Sequence, residues 1–331
     1  MKQIDISNYS GASTALIAGG TTIKLPCFFA SISSVKTNYL PSEYLTILQS
    51  LGYPTILLSA YDFANTARKN QYQIRDVLAG CIKAGATILL DSGGYESYWK
   101  KDRSWKWHNY NKTLPRIPAQ LSFGFDIRSD SNSLKSITRK IARAYIKDQK
   151  IPGARSIIPI VHTKNIYLPE AVFSLAQQER PLMVAVAERE LGNGIISRIE
   201  TVIAIRQSLN RIGDAIPLHI LGTGNPYSLL LFTLAGADSF DGLEWCQTTV
   251  DPQTGVLHHF QLRQSFACSC RFCQDNGLDY TLATFGHNLH FYQNWIKLLR
   301  EHRQNGTLLD LASNYFGAEF LTSVKRLMKI G

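Results

Sequence analysis

Three aspartates and a histidine stand at the ends of short apolar runs. Asp91 closes the run 87–90 and opens Asp91-Ser92-Gly93-Gly94-Tyr95. Asp126 follows 121–125, His162 follows 156–161, and Asp241 lies inside 239–243 with Glu244 three residues on. Glu188-Arg189-Glu190 follows 182–187, and Gly222-Thr223-Gly224 follows 218–221. Two carboxylates in one pocket suit double displacement at an acetal-like carbon, one as nucleophile and the other as proton shuttle. That chemistry is glycosyl transfer or hydrolysis. A single Asp after a strand is commonly a turn former or a helix cap, so the weight rests on three of them at strand ends. Gly93-Gly94 lets backbone approach a flat ligand. His162 suits a ligand pocket or a satisfied core position equally, and Gly222-Thr223-Gly224 suits a phosphate cradle or a plain turn.

The cysteines hold a second chemistry. Cys27, Cys81 and Cys246 are scattered, but Cys268-x-Cys270-x-x-Cys273 crowds three soft ligands into six residues. In a reducing compartment such a cluster is a metal site before it is a disulfide. A structural zinc site needs a fourth ligand. His287, His290 and His302 lie downstream, and His258 and His259 upstream. Four protein ligands would leave no water position, so this metal would hold structure only.

Elements must position these residues. Residues 13–33 predict one or two short strands with a turn at Gly19-Gly20. Seven further apolar runs recur at 55–59, 87–90, 121–125, 156–161, 182–187, 218–221 and 239–243, and an eighth at 24–30 precedes them. Helix-like stretches at 73–84, 134–147, 169–179, 195–209 and 226–235 alternate with the runs. Such alternation predicts a parallel sheet with right-handed crossovers, and eight strands close into an α/β (β/α)8 TIM barrel, whose chemistry collects at the C-terminal strand ends. An open doubly wound sheet is the alternative, although no Gly-rich dinucleotide fingerprint follows the first strand. The expected organisation is a barrel with N-terminal strands over 1–250, then a zinc-binding subdomain over 251–331 with helices at 290–302 and 308–328.

The 331 residues are 45% hydrophobic and 18% charged, which excludes an extensively disordered chain. No run approaches the length of a membrane span, and residues 1–14 carry no apolar leader, so a cytoplasmic protein without membrane contact is expected. The formal net charge is +10. Charge alone fits a polyanionic partner or a merely basic enzyme. The stretch Lys100-Lys101-Asp102-Arg103-Ser104-Trp105-Lys106-Trp107 interleaves cations with aromatics, as single-strand binding does, or forms a solvated loop with two partly buried tryptophans.

In order, Asp91-Ser92-Gly93-Gly94-Tyr95, Phe125-Asp126, Leu221-Gly222-Thr223-Gly224-Asn225-Pro226, Gly236-Ala237-Asp238-Ser239-Phe240-Asp241, the cysteine cluster and His287-Asn288-Leu289 resemble the tRNA-guanine transglycosylases. The resemblance runs from about residue 13 to 303. It implies a (β/α)8 barrel with a zinc subdomain, and exchange of guanine in nucleic acid for a 7-deazaguanine. It implies Asp241 as nucleophile at C1′ and Asp91 as general acid/base. It further implies that Tyr95 stacks on the purine opposite Leu221, beside Gly222. It implies also that Asp126 accepts from the guanine amino edge and that Cys268, Cys270, Cys273 and His287 bind zinc.

The departures from that pattern fall in the substrate-reading parts. His162 replaces a Gln that reads the purine carbonyl, and its ring can donate there too. Ala187-Glu188-Arg189 replaces a Gly-Gly-Leu turn, with Glu188 at the base-binding position. Asn193 replaces an acid, and the span from Cys273 to His287 is short. The Pro-Thr-Arg-rich tRNA-contact stretch is replaced by Gly242-Leu243-Glu244-Trp245-Cys246-Gln247. A carboxylate at Glu244 would repel a phosphate or select a base edge. These changes resemble the DpdA-type transglycosylases, which place 7-deazaguanines such as 7-cyano-7-deazaguanine in DNA. The expected partners are nucleic acid, with DNA preferred and tRNA the alternative, and a 7-deazaguanine base, with a homodimer or helper proteins in addition. A non-catalytic nucleic-acid-binding subunit is the other functional class, and retention of both Asp91 and Asp241 favours the enzyme.

Overall fold

Side-chain parity along short strands decides the architecture. The computed structural model describes residues 13–127 and 131–328, so the first twelve residues, on which the expectation about a leader rests, lie outside it. The chain opens with an antiparallel hairpin, β1 (Ala15–Ala18) and β2 (Thr21–Lys24). Its turn is Gly19-Gly20, with φ of 55° and 81°, the left-handed pair that a tight hairpin requires. Eight parallel strands follow: β3 (Cys27–Ile32), β4 (Thr55–Ser59), β5 (Thr87–Asp91), β6 (Leu121–Phe123), β7 (Ser156–Ile158), β8 (Val184–Ala187), β9 (Leu218–Leu221) and β10 (Ser239–Gly242). Their order is β7-β6-β5-β4-β3-β10-β9-β8.

The two ends of this sheet meet. Beyond β7 the Val161 N–H donates to the Ala185 carbonyl at 2.8 Å, and the Ala185 N–H donates to the Pro159 carbonyl at 3.0 Å. With Ile160 bridged in parallel to Ala185, the sheet closes into the expected (β/α)8 barrel.

One parity faces inward. Phe29, Leu57, Leu89, Leu121, Phe123, Ile158 and Ala185 cluster inside, and Leu16, Ala18, Ile23 and Leu25 of the hairpin join them at the N-terminal end. The alternate residues, among them Phe28, Ile56, Ile88, Val184, Ile220 and Phe240, pack outward against the helices. Burying each such side chain contributes about 1.5–3 kcal/mol. A register slip of one residue would exchange the two sets, so the apolar lining fixes where the acids point. Asp91 shares parity with Leu89, and Asp241 pairs with inward-facing Phe29. Both carboxylates therefore enter the C-terminal mouth.

The segment after β10 differs from its sequence-based outline. A short helix, Glu244–Gln247, leads into an antiparallel pair, β11 (Thr248–Val250) and β12 (Leu257–His259), and then the cysteines. The helix expected at 290–302 runs from Tyr280 to Gln304 and takes in His287. Its start is set by Asp279, whose side chain accepts from the N–H groups of Thr281 and Leu282 at 2.8 and 3.0 Å. This helix lies on the barrel. The Tyr292 ring stacks on Phe28 at 4.5 Å, and its hydroxyl donates to the Gly224 carbonyl at 2.6 Å. The expected last helix is two, Leu308–Ser313 and Ala318–Met328. Between them Tyr315 and Phe316 turn in against Tyr227 and Trp295, which breaks the helical path. Among the described residues, no helix is long and apolar enough to cross a membrane.

Candidate active site and metal centre

Asp241 is 7% exposed and meets three donors. Ser31 Oγ donates to Oδ2 at 2.8 Å, and the Gly222 N–H donates to Oδ1 at 3.0 Å. His219 Nε2 lies 3.1 Å from Oδ1, so the ring donates there and its Nδ1 accepts from the Ser239 hydroxyl at 2.8 Å. Gly222, with φ of 74°, takes a backbone shape that L side chains rarely adopt, and this aims its N–H at the carboxylate. Neither Ser31 nor His219 was singled out in the sequence. The available signal was a polar residue at the inward parity of an otherwise apolar strand.

Asp91 lies across the mouth and accepts from the Gly93 N–H at 2.8 Å. Burial pushes its carboxyl up to about 7, against that hydrogen bond and with help from the charges of Asp241 and Asp126. An acid that exchanges its proton near neutrality beside a second, firmly held carboxylate is the pairing a double displacement uses.

Gly94 explains how Asp126 reaches this pair. A Cβ on Gly94 would lie 2.6 Å from Asp126 Oδ2, so the glycine leaves room for the carboxylate. Asp126 Oδ1 is 2.8 Å from His162 Nε2, and His162 Nδ1 is 2.9 Å from both oxygens of Glu190. Burial alone would lower the imidazole, but hydrogen bonds to the two carboxylates and their charges outweigh it and push it up to about 9. His162 is thus an imidazolium clamped between two acids. Both ring nitrogens are occupied, so it has no free N–H for a purine carbonyl, unlike the donor role first considered for it. Glu190, rather than Glu188, completes this clamp. Glu188 pairs with Arg198 Nη1 at 2.7 Å.

Leu221 sits half-buried at the inner end of β9 against the barrel lining. The three N–H groups that follow are all engaged internally, because Gly222 bonds the Asp241 side chain, Thr223 the Asp241 carbonyl at 2.7 Å, and Gly224 the Glu244 carboxylate at 3.0 Å. The segment is an acid-holding turn and not a phosphate cradle. Glu244 points inward between Gly224 and Gly242. Burial pushes it up to about 7 despite the Gly224 N–H, with the Asp241 and Glu188 charges adding. It is not an outward-facing repellent for phosphate.

Behind Asp91 lies Glu96, 3% exposed, which accepts from the hydroxyls of Ser33 and Ser59 at 2.6 and 2.7 Å. Burial pushes it up to about 8, aided by the charges of Asp62 and Asp91. Tyr95, beside it, stands at the mouth with 37% of its surface exposed. Trp105 is buried and donates to the Ser92 carbonyl at 3.0 Å, while half-buried Trp107 donates to Asp148 at 2.7 Å and carries Lys147 Nζ 3.5 Å over its ring.

The metal-ligand atoms of Cys268, Cys270, Cys273 and His287 all lie within 4.8 Å of one another. His287 Nδ1 is 3.3, 3.6 and 3.4 Å from the three sulfurs in turn. With metal–sulfur bonds of about 2.3 Å and metal–nitrogen bonds of about 2.0–2.1 Å, a tetrahedron has S···N edges of about 3.5 Å. The four atoms fit that figure and could hold a metal ion. His287 Nε2 donates to the Val250 carbonyl at 2.7 Å, which leaves Nδ1 as the ligand. His290 faces Asn294 and His302 faces Thr307, while His287 meets the sulfurs.

Fold and site together define a class: a (β/α)8 barrel with coupled carboxylates in its mouth and a Cys3His metal cluster following the last strand. No family model matches the chain. It is similar to the tRNA-guanine(15) transglycosylase of Methanopyrus kandleri, with 21% identity over 335 residues, covering 92% of this chain and 69% of that protein. This similarity supports a place in the tRNA-guanine transglycosylase superfamily and a glycosyl-transferring activity.

Proposed function

We propose that this chain is a base-exchange enzyme that replaces guanine in DNA with a 7-deazaguanine. The observation that carries the chemistry is the pair Asp241 and Asp91, the first held by three donors and the second poised near neutrality. Asp241 attacks C1′ of the target nucleoside, and the glycosidic bond breaks while Asp91 gives its proton to the departing guanine. The sugar is then held as an Asp241 ester. Asp91 takes the ring N–H proton of the incoming base, whose nitrogen attacks C1′ and frees the Asp241 carboxylate. Tyr95 and Leu221 flank the base. Asp126, held by His162 Nε2 at 2.8 Å, accepts from its amino edge. Cys268, Cys270, Cys273 and His287 would hold zinc in a structural role, since four protein ligands would leave it no open position.

The target base must leave its stack to meet these groups, so the substrate is single-stranded or flipped. DNA is favoured because the segment after the nucleophile folds inward. Trp245 is fully buried and donates to the Ser31 carbonyl at 2.9 Å, and Glu244 faces the site, so this stretch presents no cation to a folded RNA. The tRNA reading rests on the similarity to the tRNA-guanine(15) transglycosylase of Methanopyrus kandleri. The deciding experiment offers labelled 7-deazaguanine with single-stranded DNA, duplex DNA and total tRNA together at one salt concentration, because affinities compared across salts mean little. Label entering DNA is expected. Label entering mainly tRNA would return the chain to the tRNA branch.

A further inference from the structure

The helix Gly94–Trp99 is inside out. Its buried side chain is the carboxylate of Glu96, while Tyr95, Tyr98 and Trp99 are 37%, 68% and 47% exposed. These three occupy positions i, i+3 and i+4, which place them on one helix face. An amphipathic helix of a folded domain does the reverse. The Tyr95 and Trp99 rings lie 6.4 Å apart, those of Tyr98 and Trp99 5.6 Å apart, both edge to face. Lys36, on the loop after β3, sets its Nζ 3.7 Å over the Trp99 ring, and Gln247, after β10, holds that loop by donating to the Lys36 carbonyl at 3.0 Å. The patch therefore stands where the loops following β3, β5 and β10 meet, continuous with the mouth that holds Asp91 and Asp241. Lys101 and Lys106 are exposed just beyond the helix.

We propose that Tyr98 and Trp99 form a stacking platform for the nucleotide next to the target base in an unpaired DNA strand, with Lys36, Lys101 and Lys106 facing its phosphates. This deepens the DNA base-exchange reading and rests on it. Aromatic faces in a cationic surround take bases of any sequence, because every base has a π-face. Lys36 reinforces the platform by holding the indole from one side. Tyr95 keeps its separate place against the exchanged base, one helical turn nearer the acids.

Intrinsic fluorescence tests this directly. Of five tryptophans, Trp105, Trp245 and Trp295 are buried and Trp107 is half-buried, so Trp99 is the indole open to solvent. Titration with a short single-stranded DNA bearing one guanine should quench the emission, and Trp99→Phe should remove that quench while keeping DNA affinity. Tyr98→Ala and Trp99→Ala should each raise KM for the oligonucleotide roughly five- to a hundredfold, with kcat little changed. Both positions are exposed, so an unaltered melting temperature is the control for folding. The quench needs no chemistry, which separates the two readings. Quenching without incorporation of labelled base sinks the exchange reading and leaves the platform standing. Incorporation without quenching, or an unchanged KM in both alanine variants, overturns the platform. An RNA of the same sequence that quenches where DNA does not overturns the choice of DNA, and a signal that varies with protein concentration alone assigns the patch to a second copy of the chain.

Discussion

Replacing His162 by Gln would test the electrostatics of the site at its most constrained point. The ring is 3% exposed and spans Asp126 and Glu190 at 2.8 and 2.9 Å. Its folded-state value of about 9 lies above the 6.5 of a free imidazole. A raised value means that the protonated form is the stabilised one. The contribution is fully present below about pH 6.5 and is lost as pH rises through about 9. The gap corresponds to roughly 3 kcal/mol, at about 1.4 kcal/mol per pH unit. The wild-type advantage over His162→Gln, from denaturant midpoints, should therefore shrink by roughly 3 kcal/mol between about pH 6 and about pH 10. Histidine NMR should show one of the eight imidazoles titrating near 9 in the wild type and absent from the variant. The variant should also bind the purine less well, because Asp126 loses the His162 Nε2 partner that holds it at 2.8 Å. A His162 resonance titrating near 6.5, or a stability difference independent of pH, would refute the clamp.

Three further outcomes follow from the same geometry. Asp241→Asn should abolish exchange by about ten thousandfold or more and yield no covalent adduct with substrate, while its circular dichroism matches wild type; near-normal turnover would remove Asp241 from the nucleophile role. Gly94→Ala should raise KM for the base by about tenfold, since the new Cβ would sit 2.6 Å from Asp126 Oδ2 and displace the carboxylate; unchanged base binding would count against the placement of Asp126. Removal of the metal by a chelator, or His287→Ala, should release zinc and expose the region around the cysteines to proteolysis, because ligand loss is equivalent to local unfolding; elemental analysis that finds no zinc in the purified protein would contradict the assignment.

The barrel was legible because its signal is repeated. Eight short apolar runs at regular intervals leave few topologies, and most of their positions match the strands. The acids at the ends of those runs were legible for the same reason, since a strand end in a barrel is a place as well as a residue. What escaped was everything whose meaning depends on a partner distant in sequence. Ser31 and His219 look like ordinary strand residues until the closed sheet brings them to Asp241. Glu190 and Glu188 lie two residues apart in a polar turn, and only the backbone path decides that one meets His162 and the other Arg198. Trp105 and Trp107 looked like a strand-binding motif because spacing carries no information about which way a loop residue turns. Tyr98 and Trp99, which do face solvent, sit in a helix too short to show a periodicity.

The charge distribution explains why a basic chain carries so acidic a mouth. Asp91, Asp126, Asp241, Glu188, Glu190 and Glu244 gather at the C-terminal strand ends, with Glu96 behind Asp91, and a phosphate entering there would meet several carboxylates. The acids tolerate one another by three means. Asp126 and Glu190 share an imidazolium, Glu188 pairs with Arg198, and Asp91, Glu244 and Glu96 hold protons near neutrality, at about 7, 7 and 8. Under the proposed base exchange, such a mouth would accept an uncharged base rich in N–H donors and would repel a phosphodiester. The net charge of +10 consequently resides outside the mouth, where Lys36 lies over the Trp99 ring and Lys101 and Lys106 are exposed. The flipped nucleotide of the proposed reaction would satisfy both halves at once, with its base among the acids and its backbone outside among the lysines. Salt, which screens exposed charges over about 10 Å, then weakens the grip on the polymer and leaves recognition of the free base nearly unchanged.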